Sequence, residues 1–293
     1  MKIAVFGRTF NPDFNRYIVD FFSYLKTNHV SVFLYQPFHG FLKEICNLDP
    51  EVNDVFTDPD DAPGDIDFLI SIGGDGTFLK SIMFLKNFDI PVIGINSGRL
   101  GFLANISKEE LSEALDAVFK GNYKLESRSM LTVESKNLEF GKYNFALNDV
   151  TIQKKDTVMI KVDTYLNGEF LNTYWTDGLI ISTPTGSTAY NMSVGGPIVL
   201  PGSNNFVIAP IASHNLTVRP IIVPDDIEIK LEVKARSGNF HITLDNRTQV
   251  MGTRDNVFHI KKADLPLKIV NFQFNSYYST IRNKLMWGAD KRN

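Results

Sequence analysis

The chain has 293 residues, with 30 Lys and Arg against 33 Asp and Glu, and 43% of its residues are apolar. That length and apolar content suit two domains of roughly 100–200 residues. The net charge of −3 argues against a nucleic-acid binder, which needs a basic excess to neutralise phosphate backbones. Cys46 is the only cysteine and the histidines show no H-x-x-x-H spacing, so neither an internal disulfide nor a structural metal is expected.

The first residues, Met1 to Arg8, read as a buried strand rather than a signal peptide. No apolar run approaches the roughly 18–20 residues that cross a bilayer, so a cytoplasmic protein without membrane contact is expected. Short apolar runs at Ile3–Phe6, Val30–Tyr35, Phe68–Ile72 and Val92–Ile95 alternate with helically spaced apolar residues such as Val19, Phe22, Phe78, Ile82 and Leu85. Continuous apolar strands between amphipathic helices predict a parallel sheet covered on both faces, a doubly wound α/β domain over 1–121. Ser107-Lys108-Glu109-Glu110 carries a capping box that predicts a helix through Lys120, ended by Gly121.

Beyond Gly121 the pattern becomes one of strands. Val158–Leu166, the turn Asn167-Gly168 and Glu169–Trp175 predict a hairpin. Ile227–Ala235, Ser237-Gly238-Asn239 and Phe240–Leu244 predict another, and Val257–Ile260 and Leu267–Phe272 add strands. No helix is expected between about Lys124 and Phe274. The segment 122–273 therefore reads as a β-rich, sandwich-like domain, and 274–293 as a tail rejoining the first.

Gly73-Gly74-Asp75-Gly76-Thr77 lies between the strand Phe68–Ile72 and the helix from Phe78. Glycines in such a turn let backbone approach a ligand, and the following helix start favours phosphate. Gly73, Gly74, Gly76 and Thr77 are the phosphate-binding candidates. The spacing is not that of a P-loop. A carboxylate among phosphates fits phosphoryl transfer to an alcohol, where a divalent cation screens it or an incoming hydroxyl protonates it. The competing reading makes Asp75 a helix cap only.

Asp177 to Tyr190 crowds five small hydroxyl residues around Pro184 and Gly186 and ends on an aromatic. Such a loop offers short donors and acceptors and a face for a base. Asn148-Asp149 follows an apolar stretch; neighbours in a regular strand point to opposite faces, so spacing alone favours a polar strand end. Arg99 is open between phosphate and solvent, and His214 reads as a structural histidine.

Taken in order, Gly73–Thr77, Asn96–Leu103, Leu147–Val150, Asp177–Tyr190, Ser193–Pro197, Pro210–Pro220 and Leu285–Gly288 closely resemble the NAD kinase family. The Gly-Gly-Asp-Gly-Thr motif is shared with diacylglycerol, sphingosine and phosphofructose kinases, whereas the Asp177–Tyr190 block is far more specific. The resemblance implies transfer of the terminal phosphoryl group of ATP or polyphosphate, with Mg2+, to the adenosine ribose 2′-hydroxyl of NAD. It also implies homodimers or homotetramers. It makes Asp75 the general base and puts Gly76, Asn148 and Asp149 around the ribose and its phosphates. Asp177 falls at the nicotinamide end. Thr185, Thr188, Ala189, Tyr190, Asn191, Met192 and Ser193 fall on the adenosine side, with Lys80, Ala212 and Asn246 as further NAD-site positions. The chain departs from the family at Asp149, often Glu, at Asp245-Asn246, usually Asp-Gly, and at Trp175, often basic. Two alternatives stand beside this: a lipid or sugar kinase sharing the glycine turn, and a dinucleotide sensor without catalysis.

Overall fold

The computed structural model describes residues 1–252, 256–274 and 276–288. It divides into two compact units, Met1–Glu126 with Lys268–Asn293, and Ser127–Leu267. Of the returning tail read at 274–293, residue 275 and residues 289–293 lie outside the described residues.

The first unit opens with strands β1 (Lys2–Gly7), β2 (Ser31–Tyr35), β3 (Asp54–Phe56), β4 (Phe68–Gly73), β5 (Val92–Asn96) and β6 (Lys124–Arg128). Helices α1 (Asn15–Thr27), α2 (Gln36–Glu44), α3 (Asp75–Ser81) and α4 (Leu111–Phe119) lie between them. The second unit holds β7 (Leu131–Glu134), β8 (Phe145–Ala146), β9 (Asp149–Lys154), β10 (Ile160–Leu166), β11 (Glu169–Thr176) and β12 (Gly178–Ser182). After the short helix α5 (Tyr190–Ser193) come β13 (Asn205–Ile211), β14 (Ile221–Pro224), β15 (Ile229–Ala235), β16 (Asn239–Leu244), β17 (Arg247–Gly252) and β18 (Val257–Lys262). The chain then runs through β19 (Leu267–Asn271) into α6 (Tyr277–Leu285).

The first sheet has the order β3-β2-β1-β4-β5-β19-β6, and its pairs from β3 through β19 are parallel. Parallel strands need crossovers, and the helices that make them bury both faces; β4 and β5 are accordingly buried at every residue. Helix α4 buries Leu111, Ala114, Leu115 and Val118, the spacing of one helical stripe, in the same cluster as Phe21 and Leu25 of α1. The predicted capping contact forms: the Glu110 carboxylate accepts the Ser107 backbone N–H and hydroxyl, both at 2.8 Å. From β1 the chain moves to β2 on one side, and β4 leads to β5 on the other. The order therefore reverses between β1 and β4, and ligands of open α/β sheets bind at the carboxyl ends of strands flanking such a point.

The second unit is two antiparallel six-stranded sheets, β11-β10-β15-β18-β7-β8 and β14-β13-β12-β9-β16-β17. One core lies between them: Val133, Val162, Leu231 and Phe258 from the first sheet meet Ile152, Leu179, Phe206 and Phe240 from the second. Strands alternate buried and solvent-facing residues, as in β15, because each sheet has one inner face. Asn167 and Gly168 both take positive φ, 48° and 83°, which a two-residue hairpin turn needs; they join β10 to β11.

Three expectations are corrected. Ile227–Ala235 and Phe240–Leu244 do not form a hairpin: β15 pairs with β10 and β18, and β16 with β9 and β17 in the facing sheet. Their apolar faces meet across the core instead of side by side, a difference that alternation and a glycine turn do not encode. Strand β19, read from sequence as part of the β-rich domain, pairs parallel with β5, its Ile269 and Val270 buried. A helical segment also interrupts the all-β reading, with a 3-10 turn at Thr185–Thr188 followed by α5.

Phe240 is fully buried and meets the Phe258 ring edge-on at 5.9 Å. Phe240→Ala should lower the unfolding free energy of the sandwich by about 3–5 kcal/mol, measured by urea titration followed by circular dichroism; a loss under ~1 kcal/mol would contradict this packing.

Candidate functional site

In the first unit the turn after β4 presents Asp75 as the opening residue of α3. Its carboxylate accepts three successive backbone N–H groups: Phe102 on Oδ2, and Leu103 and Ala104 on Oδ1, each at 3.0 Å. Lys284 of α6 adds its Nζ at 3.3 Å from Oδ2 and lies 4.5 Å from the Phe102 ring centroid. Asp75 thus does more than begin a helix, since its side chain is the anchor for the loop after β5. Asn96 shapes that loop, its amide donating to the carbonyls of Arg99 at 2.7 Å and Ala104 at 3.2 Å while Oδ1 accepts Gly98 N–H at 2.7 Å. Gly101 must lack a side chain, because a Cβ there would overlap the Asp75 carboxylate.

In the second unit an equivalent device holds Asn148 and Asp149. The Asp245 carboxylate accepts the N–H groups of Leu147 at 2.9 Å, Asn148 at 2.7 Å and Asp149 at 3.2 Å. Asp245 itself takes φ 53°, and its N–H returns to the Asp149 carbonyl at 3.0 Å. Burial raises the Asp245 pKa, opposed by the three N–H donors and by Arg247. The Asn148 backbone is held on its other side as well, its carbonyl accepting Thr183 N–H at 2.9 Å. Its side-chain amide has no hydrogen-bond partner among the described residues, so a rigid backbone carries an open donor and acceptor. Asp149 starts β9, is 6% exposed, and accepts the Thr151 hydroxyl at 2.8 Å. Burial drives its pKa up to about 7; the Thr151 bond acts against this and the Asp245 charge adds to it.

The hydroxyl-rich block divides into inner and outer residues. Thr183 Oγ1 donates to the Leu147 carbonyl at 2.6 Å and accepts Gly186 N–H at 3.0 Å. The Ser187 hydroxyl bonds the Pro184 carbonyl at 2.7 Å and accepts Val199 N–H at 2.9 Å. With Ser182, these hydroxyls are fully buried and stitch the loop to its scaffold. Gly186 sits against Asn148, where a Cβ would overlap the Asn148 carbonyl, so the two segments touch backbone to backbone. Thr185 is buried beside Arg128, whose Nη1 lies 3.4 Å from its hydroxyl. Asn191 is also buried, its amide donating to the Ser187 and Pro197 carbonyls. Tyr190 and Ser193 are exposed, while Thr188, Ala189 and Met192 are half-buried.

Asp177, between β11 and β12, pairs with Lys154 at 2.7 Å. Lys80 is an exposed residue of α3 and Asn246 an exposed residue of the β16–β17 turn. Ala212 follows β13 with φ 47°, a left-handed conformation that costs a residue with a Cβ roughly 1–2 kcal/mol. Arg99 and His214 are exposed. Sequence reasoning met Asp245 only as a departure from the family's Asp-Gly pair and missed Lys284, Lys154 and Arg128, three scattered basic residues. Only the positive-φ turn at Asp245 carried a local trace.

The ATP-NAD kinase N-terminal domain family matches residues 51–123, and the ATP-NAD kinase C-terminal domain family matches residues 147–272. The chain is 45% identical over 298 residues to a NAD kinase of Flavobacterium johnsoniae and 42% identical over 295 residues to one of Bacteroides fragilis, each alignment covering 100% of both chains. Among solved structures it is similar to yeast NADH kinase complexed with NADH, with TM-score 0.86 and 23% identity over 99% of this chain and 89% of that one. It is also similar to an NAD kinase from Archaeoglobus fulgidus in complex with ATP, with TM-score 0.74 and 25% identity over 98% and 99%.

The raised pKa of Asp149 has a definite sign in stability. An acid whose folded pKa lies above its unfolded value binds a proton more tightly when folded, so its contribution is present below the ordinary aspartate value of 3.8 and is lost as pH rises to about 7. Asp149→Asn should remove that loss, so the variant gains stability relative to wild type as pH rises from 3.8 to about 7, and the difference levels off above that. Urea midpoints at four pH values check this; a pH-independent difference would contradict a buried, protonated Asp149.

Proposed function

The chain belongs to the NAD kinase family, and from that membership we propose how its residues move the terminal phosphoryl group of ATP to the adenosine ribose 2′-hydroxyl of NAD, giving NADP. The observation that carries the reading is Asp75, a carboxylate fixed by three N–H groups inside a glycine turn at the carboxyl end of β4. A carboxylate has about four acceptor sites, and Lys284 occupies the fourth. The incoming 2′-hydroxyl takes that place at Oδ2 and hands over its proton as its oxygen attacks the γ-phosphorus. The bond from that phosphorus to the bridging oxygen breaks, and the electron pair leaves with ADP. Freed from Asp75, the Lys284 ammonium stays close enough to balance charge on the phosphates.

The remaining roles follow from residue chemistry. Gly73, Gly74, Gly76 and Thr77 cradle phosphate. Asn148, with its open amide, hydrogen-bonds ribose hydroxyls, and Asp149 borders the same sugar. Asp177 meets the nicotinamide carboxamide, and Tyr190 stacks on adenine beside Thr185, Thr188, Ala189, Met192 and Ser193. Asn191 acts through the loop it braces. Lys80, Ala212 and Asn246 complete the rim. Mg2+ enters with the triphosphate, since this ion is commonly held through substrate phosphates; bound there, it would neutralise the transferred charge. The described residues assemble no group of three or more His, Cys, Asp or Glu, and an ion carried by phosphates needs none. The family resemblance supports a homodimer or homotetramer. A lipid or sugar kinase would leave the Asp177–Tyr190 block without a role.

Incubation with ATP, Mg2+ and NAD should give NADP, read with a strictly NADP-dependent dehydrogenase. Asp75→Asn keeps size but cannot take the proton, so kcat should fall by about 10²–10⁴-fold with unchanged circular dichroism; more than about a tenth of wild-type kcat would exclude the base.

A 2′-deoxyadenosine analogue of NAD lacks the acceptor, and in-line transfer tolerates little misplacement. It should inhibit competitively against NAD without being phosphorylated. Product carrying a 3′-phosphate would show that the wrong hydroxyl has been assigned.

A further inference from the structure

Among the described residues, four donors close around the Asp75 carboxylate, two on each oxygen. Oδ1 accepts the N–H groups of Leu103 and Ala104, and Oδ2 accepts Phe102 N–H and the Lys284 ammonium. A carboxylate offers about four lone-pair sites, so none is left for a further donor. Three of the four donors belong to the backbone of the loop after β5, which Asn96 fixes in turn. Lys284 differs from them, because it arrives on a long side chain and can leave without disturbing that loop.

The lysine is guided to Asp75 but held lightly. It extends from α6, of whose described residues only Thr280 is buried. Tyr277 and Lys284 stand seven residues apart, hence on one helical face, and both meet Phe102. The Tyr277 and Phe102 ring centroids are 5.9 Å apart, and Lys284 Nζ lies 4.5 Å from the Phe102 centroid. That ring belongs to the residue whose N–H bonds Asp75, so helix, ring and carboxylate form one contact. The Lys284 and Asp75 side chains nevertheless keep 34% and 30% of their surface exposed. Exposed pairs of this kind are worth little and yield to a competing ligand. A hydroxyl presented by a bound sugar has a high effective concentration at Oδ2, which a passing water molecule lacks.

We propose that Lys284 sets the choice of acceptor, alcohol over water, by locking the base until a sugar hydroxyl displaces it. The proposal rests on the kinase reading above. Unguarded, Asp75 Oδ2 would take a proton from water as the water oxygen attacks the γ-phosphorus. The bond to the bridging oxygen would break, and ADP and inorganic phosphate would leave with no NADP formed. Lys284 fills the site that this proton needs, so hydrolysis must wait for the pair to open by itself. The bound 2′-hydroxyl displaces the ammonium, so transfer to NAD is not held back once NAD is saturating.

Lys284→Met removes the charge from an exposed position, and its circular dichroism and thermal unfolding should match wild type. The quantity to measure is the rate of ADP release from ATP and Mg2+ without NAD, divided by kcat for NADP. Any charge that Lys284 lends to the phosphates acts on both reactions and cancels in this ratio, whereas the lock acts on hydrolysis alone. The modest strength of exposed ion pairs sets the expected rise at roughly two- to sixfold, with KM for NAD falling by no more than that factor. Lys284→Arg keeps a cation on the carboxylate and should stay near the wild-type ratio. The double variant Asp75→Asn with Lys284→Met should lose the extra ADP, because that reaction runs through Asp75. If wild type forms NADP and the ratio does not rise in Lys284→Met, rises as far in Lys284→Arg, or stays raised in the double variant, the lock is overturned and the kinase reading stands. If no NADP forms while ADP release rises in Lys284→Met and vanishes in the double variant, the lock stands and NAD as acceptor fails. Absence of both ADP and NADP would overturn both.

Discussion

Much of this structure depends on a carboxylate that collects three consecutive backbone N–H groups. Asp245 does this for Leu147, Asn148 and Asp149, and Asp75 does it for Phe102, Leu103 and Ala104. Successive N–H groups converge only where a chain turns, and there they lack strand or helix partners; unpaired and buried, each would cost about 1–3 kcal/mol. A charged acceptor satisfies all three at once with charge-assisted bonds. The result is irregular backbone as fixed as a strand, with a polar residue in a defined place at each turn.

Close backbone approach follows from the same constraint. Gly101 lies against the carboxylate of Asp75, and Gly186 against the carbonyl of Asn148. In both places a methyl group would separate the segments whose contact positions the polar residue. The buried hydroxyls of Thr183 and Ser187 extend this scaffold outward, so that a loop rich in polar atoms is rigid, and only Tyr190 and Ser193 of its candidate residues are exposed.

The acids differ in their electrostatic surroundings. Around Asp75 the carboxylate is matched by Lys284, and at Asp177 by Lys154. Asp149 has no such partner; burial, with the Asp245 charge nearby, keeps its pKa near 7. A shorter acid than the family's frequent Glu stands there, and it is held back among Thr151 and the backbone instead of reaching out.

The sequence by itself determined local things. Uninterrupted apolar strands imply a sheet covered twice, alternation implies a sheet covered once, and Asn167-Gly168 dictates one hairpin; these depend on neighbours a few residues apart. The glycine turn and the Asp177–Tyr190 block were legible because their chemistry is contiguous. Tertiary structure alone decided which sheet β16 and β19 join, since periodicity reports which face is buried and not the strand alongside. It alone brought Asp245 to Leu147, 98 residues away, and Lys284 to Asp75, 209 residues away. An isolated Asp or Lys carries no periodic signal, and its partner is set by where the sheet ends bring distant loops together.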